Sequence, residues 1–327
     1  MLYFCTLFHS NYAAKGLTLY RSLTKVCPEF RLFVFAFDDD AASLMRALSL
    51  PEVTVIPLSE FEDEDLLRVK PTRSIAEYCW TCTASTILFC LNHFDIDHCT
   101  YLDSDLFFYQ SPQVMIDEMG DNDILITPHW FAPNNEISEE VGHFCVQFVT
   151  VKNTPNALSV ITEWRNECID WCYGHHQDGK FGDQKYLDKW PMVHKRIFVS
   201  SNMGGGVAPW NMERYSFRLE DGLLYATERE MSLTFPVVFC HFHFVFASNK
   251  GHVHQFSFDT YPIDEQCSEM AFIPYCKELK KSYKLLKILG ATNKVLGLAS
   301  DDTPWDRVVR LWLKRIRRID HNHYWWI

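Results

Sequence analysis

Thr100-Tyr101-Leu102-Asp103-Ser104-Asp105-Leu106-Phe107-Phe108-Tyr109 sets two carboxylates two positions apart at the end of an apolar run. In an extended chain, side chains at i and i+2 share a face, so Asp103 and Asp105 are expected to converge on one point. Two like charges held together repel unless a cation lies between them. A hard, oxygen-seeking ion meets that need, and magnesium bound by one or two carboxylates completes its shell with waters and substrate phosphates. The chemistry implied is metal-assisted handling of a phosphorylated substrate. Asp38-Asp39-Asp40 also follows an apolar run, Leu32 to Phe37, but the helix-forming Ala41 to Leu50 comes directly after it. Three acids in that setting predict a solvated turn and a helix N-cap.

The elements that must position these acids alternate along the chain. Strands are expected at Leu2–Leu7, Arg31–Phe37, Val53–Pro57, Cys99–Leu102, Asp123–Thr127, Phe144–Val151, Ile197–Ser200 and Val237–Phe244. Helices are expected at Ala14–Lys25, Ala41–Leu48, Ser74–Asn92 and Pro155–Tyr173. That order argues for an α/β fold built on a mostly parallel sheet. In such open sheets ligands gather at the carboxyl ends of strands, which is where Asp103 and Asp105 follow Leu102. After Phe256 the chain turns into lysine- and arginine-rich helix with turn signals at Gly290 and Gly297, giving a first domain over 1–256 and a C-terminal helical region over 257–327.

Composition excludes several classes. A net charge of −11 argues against a nucleic-acid partner, which needs a basic surface. No run of eighteen apolar residues exists to span a bilayer. Met1 to Phe8 lacks a basic leader and a small-residue cleavage site, so it reads as a first strand. The twelve cysteines mostly sit in apolar runs, as small buried hydrophobes and reduced thiols of a cytoplasmic protein. Cys79-Trp80-Thr81-Cys82 has no second pair at zinc-ribbon spacing and falls in a helix, so core packing is its expected role. Met203-Gly204-Gly205-Gly206-Val207 lacks the Lys-Ser/Thr of a phosphate loop and is expected to be a flexible acceptor-side loop.

Six blocks in order resemble the nucleotide-sugar glycosyltransferases of the GT-A fold, in particular the glycogenin- and bacterial galactosyltransferase-like group. They are Leu7-Phe8-His9-Ser10-Asn11-Tyr12, Glu77-Tyr78-Cys79-Trp80-Thr81, Tyr101-Leu102-Asp103-Ser104-Asp105, Phe181-Gly182-Asp183-Gln184-Lys185-Tyr186-Leu187 with Trp190-Pro191, Ala208-Pro209-Trp210-Asn211, and Val237-Val238-Phe239-Cys240-His241-Phe242. The resemblance spans about residues 1–245. It implies that His241 joins Asp103 and Asp105 on a manganese or magnesium ion; strand alternation leaves His243 open as the ligand instead. It implies nucleotide contacts at Thr6, Leu7, Tyr12, Asp103, Ser104 and Lys250. It also implies that Asp183 and Gln184, as the catalytic pair, lie beside the donor sugar. An amide that both donates and accepts suits a ring of hydroxyls, and Asp183 also reads as the N-cap of a helix over Gln184 to Lys189. Phe144-Cys145-Val146-Gln147-Phe148 departs from the Phe-Asn-x-Gly strand of such enzymes, so no acceptor contact is carried over to it.

The expected activity is metal-dependent transfer of a sugar from a nucleoside diphosphate sugar, with uridine diphosphate preferred, to a hydroxyl of a saccharide or lipid-linked acceptor. Retention of configuration and a role in bacterial lipopolysaccharide, capsule or other surface-glycan synthesis are implied. The alternatives are a sugar nucleotidyltransferase, which would show an early basic glycine-rich loop where this chain has only Lys15 and Gly16, and a non-catalytic nucleotide-sugar-binding protein, which would lose metal ligands. From Trp305 to Asp320, Val308, Val309, Trp312, Ile316 and Ile319 form a helical apolar stripe beside six basic residues and two acidic ones. A basic amphipathic helix of this kind, extended by Tyr324-Trp325-Trp326-Ile327, is expected either to lie on an anionic membrane surface or to pack on the protein's own acidic face.

Overall fold

The computed structural model describes residues 1–133, 138–243, 245–247, 252–255, 261, 263–298 and 324–326. The first half runs β1 (Leu2–Phe8), α1 (Ala13–Val26), β2 (Phe30–Ala36), α2 (Asp39–Leu48), β3 (Val53–Pro57), α3 (Leu58–Phe61), α4 (Glu64–Val69), α5 (Ile75–His93), β4 (His98–Leu102), β5 (Leu106–Phe108), α6 (Gln113–Glu118), β6 (Ile124–Pro128), α7 (Ser138–Val141), β7 (Phe144–Lys152) and α8 (Pro155–Asp170). Then follow α9 (Trp190–Val193), β8 (Ile197–Val199), β9 (Gly205–Val207), β10 (Tyr215–Glu220), β11 (Leu223–Glu228), β12 (Thr234–Pro236), β13 (Phe239–His241), β14 (Val245–Ala247), β15 (His252–Gln255), α10 (Glu265–Cys267), α11 (Ile273–Ile288) and β16 (Tyr324–Trp326).

Seven strands form the main sheet in the order β3-β2-β1-β4-β7-β6-β8. Neighbours from β3 to β4 are parallel, β7 is antiparallel to both β4 and β6, and β8 is parallel to β6. The α/β class with a mostly parallel sheet is therefore as expected. β2 is almost wholly apolar because both sheet faces are covered. Along β1 the burial alternates between two cores: Leu2, Phe4 and Phe8 join the one that includes α1 and α11, while Cys5 and Leu7 join the one that includes α5 and α8. Each fully buried Phe or Leu contributes roughly 1.5–3 kcal/mol. α5 starts where Ser74 and Glu77 form a reciprocal capping box. α2 starts at Asp38, whose Oδ1 accepts from the Ala41 N–H at 2.6 Å.

A second sheet of three strands, β5-β13-β9, stands beside the first. β13 is antiparallel to β5, with His241 opposite Leu106, and parallel to β9. The glycine-rich segment is thus a buried strand, not the flexible loop that its composition suggests. A Cβ on Gly204 would collide with the Pro236 carbonyl and one on Gly205 with the Met115 side chain, so close packing rather than mobility calls for glycine there.

Three further expectations need correction. The strand expected over Val237–Phe244 is only Phe239–His241. The helix from Pro155 ends at Asp170, because Trp171 is extended at φ −152. β10, β11 and β12 form an antiparallel meander that no expected element covered.

Beyond β13, Val245–Ala247 pairs with His252–Gln255, which pairs in turn with Tyr324–Trp326. α11 packs into the same core as the sheets. Tyr275 stacks on Phe242 at 3.8 Å between ring centres, and Ser282 Oγ shares a 2.8 Å hydrogen bond with Thr18 Oγ1 of α1. Lys250 and the basic stripe over 305–320 lie outside the described residues. No helix among the described residues is long and apolar enough to cross a membrane. All twelve cysteines are free thiols. Burial pushes the Cys79 thiol up to about 12, which leaves it inert. Cys5, Cys90 and Cys99 bring their sulfurs within 4.8 Å of one another, but all three are wholly buried in the core and pack there as small hydrophobes.

Candidate active site

Asp103 and Asp105 lie on a turn that joins the two sheets, between the end of β4 and the start of β5. The Leu106 N–H closes it on the Asp103 carbonyl at 3.3 Å. They meet by reversal of the chain, not by the i, i+2 alternation of one strand. Asp103 is held from two sides. Its N–H donates to the Gln147 carbonyl at 3.0 Å, and Tyr101 Oη donates to its Oδ1 at 3.0 Å. The pairing of β5 with β13 then brings His241 across, helped by the Phe242 N–H donating to the Asp105 carbonyl at 3.0 Å.

His241 Nε2 stands 3.0 Å from Asp105 Oδ1 and 3.7 Å from Asp103 Oδ2. Asp103, Asp105 and His241 are a trio whose ligand atoms all lie within 4.8 Å of one another. His243 is not part of that trio: β13 ends at His241, so alternation no longer applies, and its ring stands 5.5 Å from the His241 ring and 5.9 Å from Trp210. Burial and the neighbouring His241 push the His243 imidazole down to about 3.

Lys15 of α1 was missing from the residues expected to act. Its ammonium stands 3.3 Å from Asp105 Oδ2 and 3.9 Å from the centre of the Tyr12 ring. The signal that could have found it is a lone lysine inside the apolar run Ala13-Ala14-Lys15-Gly16-Leu17. Burial alone would raise the Asp105 carboxyl, but Lys15 and His241 outweigh it and hold the group well below the usual carboxylate range. Asp103 is instead raised by burial, His241 opposing and the Asp105 charge adding to it. Burial would lower the His241 imidazole, yet the two carboxylates raise it.

Asp183 is buried and its backbone carbonyl accepts from Trp164 Nε1 at 2.8 Å. Burial raises its carboxyl to about 7, the Thr83 hydroxyl opposing and the charge of Asp103 adding. The expected N-cap is absent: Asp183 is in the right-handed region, makes no cap bond, and the turn that follows is a 3-10 helix. Gln184 Nε2 donates to the Val141 carbonyl at 2.8 Å. Of the expected nucleotide contacts, Thr6, Leu7 and Ser104 are buried and Tyr12 half-buried. Thr6 Oγ1, near the carboxyl end of β1, has no hydrogen-bond partner among the described residues. The Ser10–Tyr12 turn is held by Asp38 Oδ2, which accepts from the Ser10 N–H at 3.0 Å and its hydroxyl at 2.9 Å.

No family model matches the chain. It is 29% identical over 286 residues to the uncharacterized protein YfnD of Bacillus subtilis (strain 168), covering 85% of this chain and 89% of that one. It is 26% identical over 247 residues to the uncharacterized protein YfnF of the same organism, covering 73% and 80%. Among solved structures it is similar to the galactosyltransferase LgtC in complex with donor and acceptor sugar analogs. That match has 16% identity and a TM-score of 0.51, and covers 86% of this chain and 96% of that chain. The fold is the GT-A fold.

Proposed function

We propose that this chain is a metal-dependent glycosyltransferase that moves a sugar from a nucleoside diphosphate sugar, uridine diphosphate above all, to an acceptor hydroxyl. The observation that carries the proposal is the convergence of Asp103, Asp105 and His241 at the carboxyl end of β4, the middle strand of a GT-A sheet. Two carboxylates and an imidazole whose Nε2 is turned toward them fit manganese, with magnesium second, because imidazole accepts transition metals while carboxylates suit harder ions. When bound there, the ion would offset the negative charge that builds on the departing diphosphate.

The rest of the task falls to the chain. Lys15 adds a fixed positive charge on the far oxygen of Asp105 and keeps that carboxylate ionised. Thr6, Leu7, Tyr12 and Ser104 line the base and ribose side of the donor. Gln184 is near the anomeric centre and Asp183 holds the sugar hydroxyls, the raised carboxyl serving as a donor as well as an acceptor. The leaving phosphate takes the acceptor proton, and configuration is retained. A saccharide or lipid-linked acceptor in bacterial surface-glycan synthesis, met at the cytoplasmic face of the membrane, is the setting implied by the resemblance.

Melting the protein with uridine diphosphate and manganese together, against each alone, tests the site. Ligands that complete one another's shell must give a larger combined rise in Tm than the sum of the separate ones. Equal shifts with every nucleotide, or shifts indifferent to metal, would refute the assignment. Screening nucleotide sugars for manganese-dependent hydrolysis then names the donor.

A further inference from the structure

We infer that Gln147 positions His241, deciding which ring nitrogen faces the two carboxylates, and that residue 206 is glycine so that the Gln147 amide can stand where it does. The inference rests on the metal-site reading above, and its test separates the two.

Gln147 lies on β7, fully buried, with its own carbonyl accepting from the Asp103 N–H. Its Oε1 stands 2.8 Å from His241 Nδ1. An amide oxygen only accepts, so Nδ1 must carry a hydrogen. With Nδ1 keeping its hydrogen, the ring can shed the hydrogen that Nε2 offers Asp105 Oδ1 at 3.0 Å and still be neutral, which frees Nε2 for an ion held with Asp103 and Asp105. A flipped amide reverses everything. It would present its NH2 to Nδ1, force the hydrogen onto Nε2, and point that hydrogen at the carboxylates, so the ring could no longer ligate. Ligating histidines generally donate their other N–H in this way, and the partner sets tautomer and ring orientation. Here the partner is a neutral amide on a strand that also anchors Asp103.

The amide needs a support that keeps its nitrogen on the far side. A Cβ built on Gly206 would stand 3.0 Å from Gln147 Nε2, tighter than nine in ten such contacts, and φ +149 by itself disfavours a side chain there. The amide nitrogen therefore rests against bare backbone. That backbone is itself pinned. Asn211, fully buried, donates from Nδ2 to the Gly206 carbonyl at 2.9 Å and to the His129 carbonyl at 2.8 Å, while its Oδ1 accepts from the Ala208 N–H at 2.9 Å. Gln147 Nε2 has no hydrogen-bond partner among the described residues. Orienting the oxygen toward His241 therefore leaves a buried donor unpaired, which only the gain at Nδ1 offsets.

Nitrogen NMR of protein labelled with [15N]histidine and loaded with diamagnetic zinc reads the tautomer directly. A hydrogen on Nδ1 and none on Nε2 are expected; a hydrogen on Nε2 overturns the inference. Manganese affinity, followed by the paramagnetic signal of the free ion, gives the second arm. Gln147→Leu is expected to weaken binding roughly 10- to 100-fold, and Gln147→Glu, which still accepts at Nδ1, to restore it. A Gln147→Leu protein that melts like wild type and binds manganese as tightly also overturns it. If Gln147→Leu fails to fold, the wild-type spectrum decides alone. Wild-type protein that binds no divalent ion would sink the metal site, while a hydrogen on Nδ1 of the metal-free ring would leave the Gln147 contact standing.

Discussion

Lys15 Nζ stands 3.3 Å from Asp105 Oδ2, with the lysine side chain 2% exposed and the carboxylate 9%. A buried ion pair joins α1 to the turn between the sheets, across 90 residues of chain. Removing one partner of such a pair leaves the other charge buried. Lys15→Met should therefore lower unfolding free energy by about 3 kcal/mol, the low end of the range because His241 still faces Asp105. Urea unfolding measures it, and manganese should narrow the gap between variant and wild type by supplying positive charge. An unchanged midpoint would mean that Lys15 contributes nothing to the fold.

The two carboxylates should respond differently to loss of charge. Asp103 is already pushed toward its neutral form by burial, whereas Lys15 and His241 hold Asp105 ionised. Asp103→Asn is expected to keep or raise thermal stability, while Asp105→Asn lowers it by leaving Lys15 unpaired. Both should abolish metal-dependent sugar transfer. Equal melting temperatures for the two variants would contradict the assigned charge states.

Asp183 carries a pH signature. Its carboxyl titrates near 7 when folded and near the ordinary Asp value when unfolded, so the folded state binds more protons between those limits. Stability from this group is therefore full at low pH and is lost as pH rises from about 4 to 7. Asp183→Asn removes that slope. Relative to wild type the variant should gain up to roughly 4 kcal/mol between pH 4 and 8, at about 1.4 kcal/mol per pH unit. Parallel stability curves would place the Asp183 carboxyl in the ordinary range.

The succession of apolar runs and helical segments was enough to specify an α/β sheet, since burial on both faces leaves a near-continuous apolar run in a strand. The Asp-x-Asp at a strand's carboxyl end was legible too, because more apolar sequence follows it, whereas Asp38-Asp39-Asp40 runs straight into a helix. Chain order told nothing of how they meet. Asp103 and Asp105 converge on a turn between sheets, and His241 reaches them only because β13 pairs with β5, a hydrogen-bond register set over 130 residues of intervening fold. Lys15 was invisible as a site residue because a lysine in an apolar helix face gains meaning only from the partner that faces it. The glycines of 204–206 suggested mobility, since composition records what a backbone can do. What the packed neighbours forbid, at Pro236, Met115 and Gln147, exists only in three dimensions. The same holds for charge. Asp103, Asp105 and Asp183 are one residue type in the sequence, and burial and proximity alone drive their carboxyls apart.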